Sequence, residues 1–370
     1  MNHSLSIADR LDRNIFLSKI LSYLIWIIRS FNKKFRVNKN QKSTLIISFH
    51  RLGDSIFTLP AIKVIQQNSK KIYILCFTES LPIYRNQLND VVTIGFDKKL
   101  DFIAGKIPRS YVRKKLKEIN PEIIIDLTAS IQSASLIFFS SSKTIVGANN
   151  FIYHHLYDYY CFKRTTPHLM DLYLDIVKLK YQVENEIELK TFHIKSESPN
   201  LILIHPTAGW KAKEWGISNF LKLTEKLNQL YKCCLIFPPD FLQPEIESYL
   251  SEKKLQYIIP EETTKLLEIL KRGNLFIGND SGPAHIASML GLKTFILFGP
   301  TNPLFHIPYG RFHSYYNKSI KCSPKSEEKM CFTNGGISGC PSFECMKVIE
   351  VQEVYDSVLK LIQIDNIQIK

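Results

Sequence analysis

The sequence predicts an α/β protein of two doubly wound parallel-sheet domains, preceded by a basic amphipathic helix. Three observations point there. At 370 residues the chain exceeds one ordinary core and suits two domains. From Ser43 onward, short apolar runs alternate with helical periods, the pattern of parallel strands joined by crossover helices. That alternation lapses over the charged, Ser- and Pro-containing residues 181–200 and then restarts. The expected organisation is therefore an arm (1–42), a first domain (43–180), a linker (181–200), a second domain (201–348) and a closing helix and tail (349–370).

In the first domain, "STLIISFHRLGDSIFTLPAIKVIQQ" reads as a strand at 45–49, a loop and a helix running through Gln67. "KIYILCF" and "VVTIGF" are further strands. "SYVRKKLKEINPEIIIDLTAS" gives a helix and then a strand ending at Asp126; "KTIVGA" is another strand and "HLMDLYLDIVKLK" a helix. The second domain repeats the alternation with strands "NLILIHPTAG", "KCCLIFPP", "NLFIGND" and "TFILFGP". Helices "ISNFLKLTEKLNQ", "TTKLLEILKRG" and "AHIASMLG" lie between them, and residues 351–362 close the chain as a helix. No strand-ending GxGxxG is present, so a dinucleotide site of the usual kind is not expected.

Forty-five per cent hydrophobic and 22% charged residues are the composition of a soluble globular protein. The net charge of +14 is uneven: between Asp12 and Asp54 there is no acid, while nine residues are basic. A local anionic partner fits this distribution better than nucleic acid, for which there is charge but no motif or aromatic–basic interleaving. Within the basic stretch, Leu17, Leu21, Leu24, Ile28 and Phe31 form a helical stripe. The apolar run 15–28 is broken by Ser18, Lys19 and Ser22 and falls short of the roughly 20 residues that span a bilayer. No small-residue cleavage site follows it, so a secretory signal is not expected. Two readings stay open: an interfacial helix with a collar of Lys33, Lys34 and Arg36 on an anionic membrane, or a helix packed on the body of the protein.

The eight cysteines form two groups. Cys76, Cys161, Cys233 and Cys234 sit in or near apolar segments and read as core thiols. Cys322, Cys331, Cys340 and Cys345 share one loop, but their gaps of eight, eight and four residues match no common zinc spacing. No metal is expected there, although a metal or redox staple stays open.

Three polar constellations fall at predicted strand ends. His50-Arg51-Leu52-Gly53-Asp54 follows the first strand; Gly53 permits a tight turn, and Asp54 lies where a helix begins. A helix cap and a general base for a hydroxyl are both open for Asp54. "HPTAGWKAKEWG" delivers Thr207 and carries Lys211 and Lys213 beside Trp210 and Trp215. A lysine there could neutralise a departing diphosphate or simply face solvent. "GNDSGPAHIASMLGLKTFILFGPTNP" places Asp280, Ser281, Gly282, Pro283 and His285 between a strand and a helix, where unpaired N–H groups and the helix dipole suit a phosphate. A second turn, Gly299-Pro300-Thr301, lies on the same edge. No DxD clamp or Walker loop accompanies them.

These motifs together resemble the glycosyltransferase family 9 heptosyltransferases. "RLGDSIFTLPAIKVI", "PEIIIDLTAS", "PHLMDLYLDIVKL", "HPTAGWKAKEW", "GNDSGPAHIASMLG" and "CMKVIEVQEVYDSVLKLI" occur in the family's order, so the resemblance covers about residues 43–362. It implies a GT-B fold of two Rossmann-like domains facing a central cleft, and an inverting transfer that needs no metal or other cofactor. The implied donor is a nucleotide sugar, ADP-heptose. The implied acceptor is a phosphorylated lipid A/core oligosaccharide precursor of lipopolysaccharide, met at the cytoplasmic face of the inner membrane of a Gram-negative cell. By position, Asp54 matches the family's proposed base, with Arg51 and Gly53 in its acceptor-side loop. Lys213 matches the phosphate-contacting lysine, and Thr207, Asp280, Ser281, Gly282, Pro283 and His285 fall in the donor-binding turns. "DLTAS" lacks the family's common Gln-Gly, and Ser281 stands where Thr is frequent; both bear on which sugar is carried. A non-catalytic membrane-docking relative and a sugar-nucleotide epimerase of similar architecture are the alternatives. Loss of the base or cradle would mark the first, and a second acid on the opposite face of the sugar the other.

Overall fold

The computed structural model describes residues 15–34, 43–97, 109–148, 151–162, 168–184, 188, 201–309, 312–331, 340 and 342–364. Most of the expected linker and Arg36 of the basic collar lie outside them. The chain divides into two compact units, Met1–Arg164 with Met170–Glu186, and Thr165–Leu169 with Ile187–Lys370.

The first unit begins with α1 (Ile15–Lys34) and β1 (Ser43–Ser48), followed by α2 (Leu52–Phe57), α3 (Leu59–Asn68) and β2 (Lys71–Phe77). Then come α4 (Leu81–Gln87), β3 (Val91–Phe96), α5 (Arg109–Ile119), β4 (Ile123–Asp126), α6 (Ile131–Ile137), β5 (Thr144–Ala148), β6 (Tyr159–Cys161) and α7 (Leu169–Lys178). Its six strands run in the order β3-β2-β1-β4-β5-β6, every pair parallel. All of β1 is buried, as a central strand covered on both faces requires. The single helix expected after the loop that follows β1, running through Gln67, is two. Thr58 turns its hydroxyl onto the Ser55 carbonyl at 2.7 Å, and Pro60, which has no N–H to give, sits in the first turn of α3.

The second unit contains β7 (Leu201–His205), α8 (Ile217–Leu227), β8 (Lys232–Ile236), α9 (Pro244–Glu252), β9 (Gln256–Ile258), α10 (Thr263–Leu270) and β10 (Leu275–Asn279). It continues with α11 (Gly282–Met289), β11 (Lys293–Phe298), α12 (Pro303–His306), β12 (His313–Asn317), α13 (Glu344–Lys347) and α14 (Val351–Ile364). Its sheet, β12-β11-β10-β7-β8-β9, is again wholly parallel. The closing helix α14 is part of this unit's core: Val354, Val358 and Ile362 are buried with Phe220, Leu223 and Leu227 of α8.

Both sheets reverse their strand order at one place, between β1 and β4 in the first unit and between β7 and β10 in the second. Helices diverge at such a switch point and leave a crevice outside the carboxyl ends of the strands, where open α/β sheets bind ligands. The three constellations singled out above follow β1, β7 and β10.

The helix α1 packs on the body, along the turn Phe151–Leu156. Ser22, Ile25 and Arg29 face inward. Arg29 donates to the Ser140 carbonyl at 3.1 Å and pairs with Asp158 at 3.2 Å, and Lys33 also pairs with Asp158. The stripe read from sequence is thereby corrected. Leu24 and Phe31 point to solvent together with Ile20, Tyr23, Trp26 and Ile27, while Ile28 is half-buried. The side chains of Leu17 and Leu21 lie outside those described. Packing and an exposed apolar face coexist on one helix, because a side chain chosen for its ion pair, Arg29, determines which side turns inward.

Candidate functional site

On the second unit, β10 ends at Asn279 and the chain enters α11 through Asp280 and Ser281. Ser281 is the N-cap residue in extended conformation (φ −146°, ψ 163°), yet its hydroxyl caps nothing. Its Oγ is buried and has no hydrogen-bond partner among the described residues. Pro283 stands in the first turn, where a missing N–H costs nothing. The Ala284 and His285 N–H groups turn back to the Ser281 carbonyl at 3.1 and 3.4 Å, so the turn presents the Gly282 N–H and an unused hydroxyl at the switch point.

Asp280, only 2% exposed, joins three segments. Lys213 Nζ lies 2.5 Å from its Oδ2, Thr301 Oγ1 donates to the same oxygen at 2.7 Å, and His285 Nε2 lies 3.3 Å from Oδ1. The loop after β7, the first helical turn of α11 and the turn after β11 are thus tied to one carboxylate. Burial alone would raise that carboxyl; the Lys213 ammonium, the His285 bond and nearby His306 hold it well below its ordinary value. Burial pushes His306 down to about 4 despite the attraction of Asp280, and pushes His205, at the end of β7, down to about 4. The other side of Lys213 is set by Trp210, whose ring centroid lies 4.8 Å from Nζ.

Asn279 completes the scaffold. Its amide donates to the Pro206 carbonyl at 2.8 Å and accepts from the Trp215 backbone N–H at 3.1 Å, and the Trp215 indole donates to Ile349 at 2.8 Å. Gly278 is required one residue earlier, because a Cβ there would sit 2.9 Å from the His205 carbonyl oxygen. Thr207 is buried beside this loop, and its carbonyl lies 3.1 Å from His205 Nδ1.

Cys322, Cys331, Cys340 and Cys345 line one small pocket of about 20 Å³ with Ala212, Gly299 and Pro300, which come from distant parts of the chain. Among the described residues none of the four forms a disulfide. Among the described residues, no group of three or more His, Cys, Asp or Glu side chains is arranged to hold a metal ion. The Cys331 N–H donates to Pro300 at 2.7 Å, which ties this loop to the turn that carries Thr301.

On the first unit, the loop after β1 leads directly into α2. Asp54 lies in the first turn of α2, half-buried; the cap position belongs to the exposed Arg51, and no side chain caps the helix. Among the described residues Asp54 makes no side-chain hydrogen bond. Of the two roles open in the sequence, the cap is therefore not the one it fills. A buried polar network shapes the loop beneath it. Ser48 Oγ contacts His50 Nδ1 at 2.9 Å and the Tyr84 hydroxyl at 2.7 Å, Tyr84 reaches Thr58 at 3.1 Å, and Ser55 meets Ser80 at 2.8 Å. His50 stands edge-on to Tyr173 with centroids 5.1 Å apart. Burial raises the Tyr173 phenol well above its ordinary value, and the charge of nearby Asp54 raises it further.

Lys213, Asp280, Ser281 and His285 are thus brought together on one edge, with Gly282, Pro283 and Thr207 in the turns around them. Asp54, Arg51 and Gly53 occupy the corresponding edge of the first unit. Thr301, Asn279 and His306 were missed in sequence as site residues; only the noted Gly299-Pro300-Thr301 turn pointed toward one of them.

Residues 109–334 match the family model described as glycosyltransferase family 9 (heptosyltransferase). The chain belongs to glycosyltransferase family 9. Lys213 and the Asp280–His285 turn lie inside the matched residues, and Asp54 precedes them. This family 9 protein is 25% identical to the lipooligosaccharide heptosyltransferase 2 of Campylobacter jejuni, over 84% of its own chain and 96% of that protein. It is 23% identical to a lipopolysaccharide heptosyltransferase 3 of Escherichia coli, over 70% and 84% of the two chains. Among solved structures, a glycosyltransferase family 9 protein from Veillonella parvula superposes with a TM-score of 0.71 at 19% identity, covering 88% of this chain and 99% of that one. An E. coli heptosyltransferase WaaC solved with ADP gives 0.63 at 15% identity, covering 86% and 99%. The fold of the family 9 protein is accordingly GT-B, and it is a glycosyltransferase. That assignment selects the transferase over the docking relative and the epimerase.

Proposed function

We propose that this enzyme transfers a heptose or closely related sugar from an ADP-activated donor to a lipopolysaccharide or lipooligosaccharide core acceptor, with inversion and through the protein's own charged groups. The observation that carries this reading is the Lys213–Asp280 pair beside the start of α11. An ammonium has three donors, and Asp280 takes one. The remaining two, the free Ser281 hydroxyl and the Gly282 N–H at the start of α11 supply a cationic cradle of donors for a diphosphate. His285, Thr301 and Asp280 act as positioning residues that hold the lysine. Asp54 removes the proton of the acceptor hydroxyl as its oxygen bonds to the anomeric carbon, and the bond from that carbon to the diphosphate breaks on the opposite face. The negative charge released on the diphosphate is met by Lys213 and the helix start.

The exposed apolar face of α1, flanked by Lys19 and Lys34, fits an enzyme that works on a lipid-linked acceptor. Among the described residues, no helix is long and apolar enough to cross a membrane. Docking is therefore peripheral in this reading, on the cytoplasmic face of the inner membrane.

Incubation of purified enzyme with a panel of sugar nucleotides and truncated core acceptors, followed by mass spectrometry of the product, tests the assignment. A heptosylated core from ADP-heptose is expected, and turnover only with another sugar or only with non-core acceptors would overturn it. In calorimetry, Lys213→Ala should weaken ADP binding by about 1.5–3 kcal/mol, the worth of a charge-assisted contact. An unchanged affinity would remove Lys213 from the donor site.

A further inference from the structure

The first unit carries a second pocket, of about 630 Å³, to which neither the donor cradle nor the Asp54 loop contributes a residue. It lies where the last turn of α1 meets α5 and the end of α6, with Asn32, Arg113, Lys117, Leu116, Leu136 and Phe139 in its wall. We infer that it holds the head of an anionic phospholipid, and so makes α1 a lipid-reading anchor rather than a merely apolar one. This rests on the peripheral-docking reading of α1.

Three features support the inference. First, two residues of its wall each carry an unsatisfied donor. Asn32 Nδ2 and Arg113 Nε are both buried and have no hydrogen-bond partner among the described residues. Buried donors are almost always paired, so two in one wall mark that wall as short of acceptors. Second, the lining is divided in character. Arg113 and Lys117 supply positive charge, no acidic residue lines the pocket among the described residues, and Leu116, Leu136 and Phe139 supply an apolar wall. The Arg113 guanidinium lies over the Phe139 ring, 4.4 Å from its centroid, which holds it in place, and Phe139 itself is exposed. A phosphate joined to an acyl chain satisfies both halves, and the volume falls within the roughly 300–1,000 Å³ of ligand pockets. Third, the position is right for an anchor. The helix α6 starts beyond the carboxyl end of β4 and carries the chain back to the opposite edge of the sheet, where Phe139 and Ser140 line the pocket. Asp54 follows the carboxyl end of β1. The pocket is thus on the far edge of the sheet from the proposed base, and Asn32 places it next to the outward apolar face of α1, one residue beyond Phe31, which is 61% exposed.

A charge-conserving pair of substitutions separates a built site from a basic surface. Full-length enzyme, an Arg113→Lys/Asn32→Leu variant and a Leu24→Ser/Ile27→Ser variant would be co-sedimented with phosphatidylcholine vesicles and with phosphatidylcholine–phosphatidylglycerol vesicles at one salt concentration. The unaltered enzyme should prefer the anionic vesicles. The pocket variant should lose on the order of tenfold of that preference, the effect of removing charge-assisted contacts, while its binding to neutral vesicles and its denaturation midpoint stay unchanged. The α1 variant should lose binding to both kinds of vesicle. A pocket variant with the preference of the unaltered enzyme would overturn the lipid site and leave α1 docking standing. Failure of the unaltered enzyme to bind either vesicle would overturn both. Inorganic phosphate supplies the remaining arm: if it raises the melting temperature of the unaltered enzyme but not of the pocket variant, and the vesicle preference is the same for both, the pocket takes a soluble anion and the lipid assignment fails.

Discussion

Asp54→Asn should leave the enzyme folded and its donor affinity near that of the unaltered protein, while lowering sugar transfer by roughly 10²–10⁴-fold, the usual worth of general base catalysis. The substitution keeps the shape of the side chain and removes only its ability to take a proton. The structure makes the test clean. Asp54 is half-buried in the first turn of α2 and caps nothing, since Arg51 holds the cap position and, among the described residues, no side chain bonds the free N–H groups. Little stability depends on its hydrogen bonds. The Ser48–Tyr84–Thr58 network that shapes the loop does not pass through it. A single-turnover assay with donor in excess isolates the chemical step, and calorimetry with ADP checks that the donor site is intact. Transfer at the full rate by a folded, donor-binding Asp54→Asn enzyme would refute the base assignment.

Asp280→Ala should cost the second unit about 3–5 kcal/mol, because it leaves the Lys213 ammonium largely buried and unpaired. Lys213 retains only 15% of its side-chain surface and would then face Trp210, with the Thr301 hydroxyl also deprived of its acceptor. The lower denaturation midpoint should be accompanied by weaker ADP binding, since the lysine loses the group that positions it. Combining Asp280→Ala with Lys213→Met should recover part of the stability, and the coupling in this double-mutant cycle measures the pair itself. An Asp280→Ala protein within about 1 kcal/mol of the unaltered enzyme would mean that the pair is not held as described. The pH dependence has a definite sign. The carboxyl is held below its ordinary value of 3.8, so its contribution is fully present above that pH and is lost only as pH falls below it.

Much of the fold was legible because its signals are local. Apolar runs of strand length, alternating with helical periods and interrupted at residues 181–200, suffice to announce two parallel sheets, and the buried central strands β1, β4, β7 and β10 carry those signals most strongly. The edge strands β6 and β9 were not legible. Each is three residues long with exposed side chains, so neither has an apolar pattern to show. The polar turns after β1, β7 and β10 were visible as chemistry because Gly, Pro, Asp and Lys gather there against an apolar background.

What the sequence by itself determined is therefore the class of fold, the three turns and the family to which they belong. Tertiary structure alone decided how those turns act together. Lys213 and Asp280 are 67 residues apart, and they meet because β7 and β10 are neighbours in the sheet, an order set by the packing of crossover helices. Thr301, from the turn after the adjacent β11, joins them for the same reason. The inward face of α1 was likewise decided by a partner distant in sequence, Asp158, which fixes Arg29 and so turns Leu24, Ile27 and Phe31 outward. A helical period states that residues share a face; what that face meets depends on contacts more than a hundred positions away, and no local pattern encodes them.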